Sequence, residues 1–144
     1  MEDWAWGLSL IGLTLAIHGT GLVWVAVVLE GLRDRLTSRH ALIGMVVLVN
    51  VVGLLLAALH VFEAGVWALA YWWLGAIGSP ADAILYSIDS MSTRGGSGLT
   101  LERRWQLMGA LEAADGMLLF GISTAFIFAF IQSYWFIVYP RGRH

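Results

Sequence analysis

The run Ser79-Pro-Ala-Asp-Ala-Ile-Leu-Tyr-Ser-Ile-Asp-Ser-Met-Ser-Thr-Arg-Gly-Gly-Ser-Gly98 interrupts a chain that is otherwise dominated by long apolar stretches. Ser79 is a good helix N-cap, Pro80 suits the first helical position, and Asp82 sits where a capping-box acid belongs. A short helix is therefore expected from Pro80 to about Ser92. It cannot continue through Gly95, Gly96 and Gly98, because glycine favours non-helical backbone.

Three apolar runs flank this segment: Trp4–Leu32, Ala41–Gly78 and Trp105–Tyr139, the last followed by Pro140. Each exceeds the roughly 20 residues that a helix needs to cross a bilayer. The second and third are long enough to tilt or to extend beyond the hydrocarbon. Trp67, Tyr71, Trp72 and Trp73 read as an interfacial aromatic belt at the end of the second run. The expected fold is an all-α membrane protein of three transmembrane helices plus a re-entrant helix and loop. Irregular backbone at membrane depth survives only where protein buries it or where it lines a watery cavity. A glycine-rich loop there points to carbonyls turned toward a conducted ion. The C-terminal, negative end of the short helix dipole would favour a cation.

Composition agrees with one small membrane domain. Of 144 residues 59% are hydrophobic and 12% charged, where soluble domains carry about a quarter charged. Mean hydropathy is +0.77. A formal net charge of −2, without any basic block, offers no nucleic-acid surface. Cysteine is absent, which rules out disulfides and thiolate sites. Met1-Glu2-Asp3 lacks the positive start of a cleaved signal peptide, so the first run is read as a retained helix. All basic residues are arginine. Arg33, Arg35, Arg39, Arg141 and Arg143 place residues 31–40 and the tail inside by the positive-inside rule, with the N-terminus and residues 79–104 outside. Arg103 and Arg104 run against it.

From about Ala83 to Phe130 the chain resembles the pore domain of potassium channels, especially small bacterial ones. The signature includes Trp105 opening the last helix, Gly116 and Phe120-Gly121 within it, and the runs Leu111-Glu-Ala113 and Leu118-Leu-Phe-Gly-Ile-Ser-Thr-Ala125. His60-x-x-Glu63 in the preceding helix adds to it. The resemblance implies residues 41–144 as a pore domain, residues 1–40 as an added helix and loop, and four subunits around one pore. Thr93-Arg94-Gly95-Gly96-Ser97-Gly98 falls on the family's selectivity filter, whose backbone carbonyls face the pore. Gly116 falls on its gating hinge.

The filter departs from the pattern. Thr93 is kept. Arg94 replaces an apolar residue packed behind the filter, Gly96 a bracing tyrosine, Ser97 a glycine, and Gly98 an anchoring aspartate. A rigid four-site potassium filter is not expected. Four Arg94 side chains facing one axis at about 8 Å, with an effective dielectric of about 20, would repel by on the order of 10 kcal/mol. Arg94 is therefore expected to turn behind the loop toward Asp89, with Glu112 as a second candidate. Asp89, Arg94 and Glu112 are the expected filter support.

Other polar residues have two readings. Glu112 is expected to bond the short helix. Asp115 is balanced between a structural role and a cavity-lining one that concentrates cations. Gly116 is balanced between a hinge and a packing contact. His60 and Glu63, one turn apart, are read as a hydrogen-bonded structural pair, and no metal site is expected because no further ligand stands out beyond His18. His18, beside Gly19-Thr-Gly21, reads as a close-packing position. The expected function is passive conduction of monovalent ions by a homotetramer in the lipid bilayer, bacterial inner membrane, with no chemical step or cofactor. A non-selective or anion-permeable pore, a non-conducting scaffold of the same fold, and an intramembrane metalloenzyme or carrier using His18, His60 and Glu63 are the alternatives, the last lacking a nucleophile motif or a full ligand set.

Overall fold

A computed structural model of the chain describes residues 2–32 and 41–138. Arg33, Arg35, Arg39, Arg141 and Arg143, on which the orientation rests, lie outside the described residues. The order is α1 (Glu2–Leu32), α2 (Ala41–Trp73), α3 (Pro80–Met91), a 3₁₀ turn at Arg103–Trp105 and α4 (Gln106–Val138), with no strand among the described residues. Three of these helices are long and apolar enough to cross a membrane. At about 1.5 Å per residue they run roughly 46–50 Å, well beyond a hydrocarbon layer of about 30 Å.

Their apolar residues point outward as well as inward. Val23, Trp24, Val27, Leu54, Phe62 and Leu69 are all exposed, the pattern of helices whose solvent is not water. The second apolar run does not stay helical to Gly78. It turns after Trp73, where Gly75 takes φ +68°, and leads into the Ser79 cap of α3.

Contacts fix the helix directions. Trp6 meets Trp73 edge to face at 6.2 Å, while Val25 and Leu29 pack with Val52 and Leu56, so α1 and α2 are antiparallel. Tyr134 donates to the Leu29 carbonyl at 2.7 Å, and Thr14 lies 2.7 Å from Asp115, so α1 and α4 are parallel. The start of α1, the end of α2, α3 and the glycine loop therefore share one end of the bundle. One core at that end gathers Leu10, Trp67, Tyr71, Ala83, Met108 and Leu119. The other end is packed by Val25, Leu29, Val52, Leu56, Phe130 and Tyr134.

The aromatic belt divides. Trp72 and Trp73 are exposed, but Trp67 and Tyr71 are wholly buried. They lie one turn apart on the face of α2 that meets α4, and each donates a hydrogen bond inward.

Gly116 lets α3 reach α4. A Cβ added there would stand 2.8 Å from Met91 Cα and closer still to its carbonyl oxygen. α4 runs unbroken through this point, so the packing role is the one in view. A Cβ at Gly121 would meet nothing within 4 Å. Gly116→Ala should cost about 1–3 kcal/mol through forced backbone movement, whereas Gly121→Ala should be neutral or slightly stabilising. Thermal unfolding in detergent checks the pair; equal effects would mean that α3 does not press on Gly116.

Candidate functional site at the end of α3

The site begins with a well-capped helix. Ser79 sits at φ −116°, ψ 130° and its side chain accepts the Asp82 N–H, with Pro80 at the first helical position. α3 ends at Met91, close to the expected Ser92. Thr93 then takes φ +55°, unusual for a β-branched residue. Gly95 and Gly98 take φ +63° and +71°, a conformation open to glycine at little cost.

Asp89 organises the glycine loop. Its Oδ1 accepts the Arg94 Nε–H at 2.5 Å and the Gly96 N–H at 3.1 Å; its Oδ2 accepts the Ser97 N–H at 2.9 Å. Its backbone carbonyl accepts the Arg94 N–H at 3.0 Å. The Ser97 N–H is the largest cause, and with the Gly96 N–H and Arg94 it outweighs desolvation and holds the Asp89 carboxyl at about 2. The described residues include no cis peptide. In a trans peptide N–H and C=O point opposite ways. The carbonyls of Gly95 and Gly96 therefore point away from Asp89, as does that of Thr93 away from the α3 terminus. A cleft of about 370 Å³ lies where the loop meets α3 and α4, lined by Tyr86, Asp89, Ser90, Thr93, Gly95 and Ala113 among others.

The Asp89–Arg94 contact is present, and in the single chain its two sides differ in exposure. The Arg94 side chain is 61% exposed and that of Asp89 4%. A buried acid holds one open guanidinium and two backbone amides. Glu112 plays no part in this pair. Its Oε1 is bonded by Ser87 Oγ of α3 and its Oε2 by Tyr71 OH of α2 at 2.8 Å. Ser87 Oγ also meets the Ala64 carbonyl at 2.7 Å, and Ser90 donates to the Gly109 carbonyl at 3.1 Å. α3 is thus pinned to α2 and α4 by its polar face.

Asp115 corrects the cavity reading. It is 1% exposed and its Oδ2 accepts from Thr14 Oγ1 at 2.7 Å and Trp67 Nε1 at 3.0 Å. It is turned into the bundle because α1 and α2 supply its donors there. The histidine reading also changes. Glu63 Oε1 meets His18 Nδ1 at 2.9 Å, whereas His60 Nδ1 donates to the Leu56 carbonyl at 2.7 Å. His18, His60 and Glu63 nevertheless converge, and His60 is stacked on Phe120 at 4.2 Å.

Reasoning from the sequence misses Thr14, Trp67, Tyr71, Ser87 and Ser123 as polar partners. Helical phase groups most of them with the acids of their own helices, but it does not say which face turns inward or which acid meets which donor. Glu63, Trp67 and Tyr71 share a face of α2, Thr14 and His18 a face of α1, and Glu112, Asp115 and Ser123 a face of α4. Comparison with protein-family models, curated proteins and solved structures finds no match for this chain.

The Asp89 geometry has two measurable consequences. Asp89→Ala orphans the Gly96 and Ser97 amides, while Arg94→Gln leaves both satisfied. The first should lower the unfolding temperature in detergent several-fold more than the second; equal losses would mean that the ion pair, not the amides, holds the loop. The folded carboxyl titrates below its ordinary 3.8, so its contribution is complete above about pH 4 and is lost as pH falls toward 2. The stability gap between wild type and Asp89→Ala should close over that range and stay constant from pH 5 to 7.

Proposed function

We propose that this chain is one subunit of a potassium-channel-like ion channel, in which four copies surround a pore lined by the carbonyls of residues 93–98. The observation that carries this is the gathering of loop amides on Asp89, which leaves the carbonyls of Thr93, Gly95 and Gly96 facing the other way. One such loop cannot enclose a pore, and its polar backbone needs shelter from lipid. Neighbouring copies would supply both. Exposed Ile84, Leu85 and Ile88 on α3 and Met117 and Phe120 on α4 would then meet other subunits or lipid. Conduction is passive and needs no cofactor. In this reading the protein lies in a bacterial inner membrane, with the α3 end outside.

Discrimination among cations is weak. Glycine at position 96 provides no ring to brace the loop, and Thr93 through Gly96 are exposed. Carbonyl cages select only when their number and field are held in place. The exposure of Arg94 favours one second reading, an anion-permeable or non-selective pore, since a guanidinium near the axis attracts anions.

Planar-bilayer reversal potentials under potassium, sodium and chloride gradients test both. Cation current with little potassium preference is expected, from a particle of four chains by mass photometry. Anion current that becomes cation current in Arg94→Gln establishes the second reading. A stable monomer or dimer without current would reduce the chain to a scaffold and overturn the proposal.

A further inference from the structure

Midway along the bundle, His18 of α1 and His60 and Glu63 of α2 each bring a ligand atom to within 4.8 Å of the others. The Leu56 carbonyl can only accept, so His60 Nδ1 carries the ring proton. His60 Nε2 is then a bare lone pair, and it is buried without a partner. Glu63 Oε2 is a second buried acceptor without a partner, on a side chain with no exposure at all. Buried polar atoms are nearly always bonded, and each exception asks for a cause. Both residues belong to one cluster whose ligand atoms lie within 4.8 Å of one another, so a cation held there would satisfy them together.

We propose that His18, His60 and Glu63 bind one divalent transition-metal ion of the zinc class, which clamps α1 to α2. Two imidazole nitrogens and one carboxylate oxygen suit such an ion and leave a fourth position for water. No cysteine is present to favour a softer metal. The surroundings match as well. A ligating histidine donates its other ring N–H to a carbonyl or carboxylate, and His60 already does so. His18 has Nδ1 on Glu63 and Nε2 3.0 Å from Ser123 Oγ. When Nδ1 takes the metal, its proton is carried instead on Nε2, and the Ser123 hydroxyl turns from donor to acceptor. The ring loses no proton. Ligands at about 2.0–2.2 Å lie about 3.4 Å apart in a tetrahedron, so small side-chain rotations close the set. A cleft of about 80 Å³ lined by His60, Ala64, Met91, Ser92 and Phe120 adjoins the cluster on the α3 side. The proposal is independent of conduction, because it needs only α1, α2 and Ser123.

The test uses the full chain in detergent, tag removed, stripped with EDTA and titrated with Zn²⁺ or Co²⁺ alone. One Zn²⁺ per chain is expected by elemental analysis. The visible bands of four-coordinate Co²⁺ and a rise in unfolding temperature on loading are expected with it. His60→Gln and Glu63→Gln should each weaken Zn²⁺ binding at least about tenfold. If Glu63→Gln does not fold, His60→Gln, at a partly buried position, and the wild-type Co²⁺ spectrum decide. Wild type that holds no more Zn²⁺ than the triple variant His18→Asn/His60→Gln/Glu63→Gln overturns the proposal. So does unchanged affinity in the single variants that fold.

Discussion

A carboxylate inside an apolar helix bundle must draw its donors from the chain itself, and that constraint organises this protein. Glu63, Asp89, Glu112 and Asp115 are all buried. Glu112 is met by α2 and α3, Asp115 by α1 and α2, and Glu63 by α1. Each partner comes from another helix, so every bond also sets a register. Glu112 and Asp115 are one turn apart on α4, and Tyr71 and Trp67 are one turn apart on antiparallel α2. Sliding either helix by a turn would break both bonds together. Leucine-like packing alone tolerates such a slip, since lipid is as apolar as the core. Buried polar pairs that fix register are a known use of otherwise costly groups.

Asp89 solves the same problem in another way. Its donors are the backbone amides of the adjoining loop, so burial of one acid sets the path of an irregular segment. The strained element is Thr93, whose φ of +55° costs a β-branched residue energy that a helix would not. It is tolerated because the Thr93 N–H bonds the Ser90 carbonyl at 2.8 Å and the Arg94 N–H bonds that of Asp89 at 3.0 Å. The helix end and the first loop residues are over-determined by these bonds before any side chain outside α3 contributes.

Much of this architecture is legible in the sequence, and the remainder has an identifiable reason. The Ser79-Pro80 start and the Gly95-Gly96-Ser97-Gly98 stop bracket α3 closely, because caps and glycines act locally. The helices α1, α2 and α4 follow from apolar length alone, although Gly75 ends α2 before the apolar run does. Which acid meets which donor is less readable. Apolar residues cover every face of these helices, so amphipathic phase gives no inward direction. Trp67 and Tyr71 cannot be told from an interfacial belt, nor Asp115 from a cavity residue. The pairing of Glu63 with His18 joins residues far apart in the chain, and a local i, i+3 argument favours His60 instead. For Arg94 the sequence points to its partner Asp89, but not to how exposed the guanidinium is in the single chain. Pairing needs one contact, while burial depends on everything else around the side chain.

That exposure matters for what a ring of four such loops could do. Taken alone, four Arg94 charges near one axis would repel strongly. Here each guanidinium is 2.5 Å from the carboxylate of Asp89 in its own subunit, so a proposed tetramer would carry four neutral pairs instead of four cations. The pairs are not symmetric across the loop. The carboxylate lies on the buried side and the guanidinium on the open side, so the positive end of each dipole is the less screened by protein and the more screened by water. In the proposed tetramer an ion at the loop would feel both the open guanidinium ends and the carbonyls of Gly95 and Gly96. The carbonyls would favour cations and the guanidinium ends would oppose them, and a loop that no ring braces would hold neither at a fixed distance, which is why weak discrimination among cations goes with the proposed conduction.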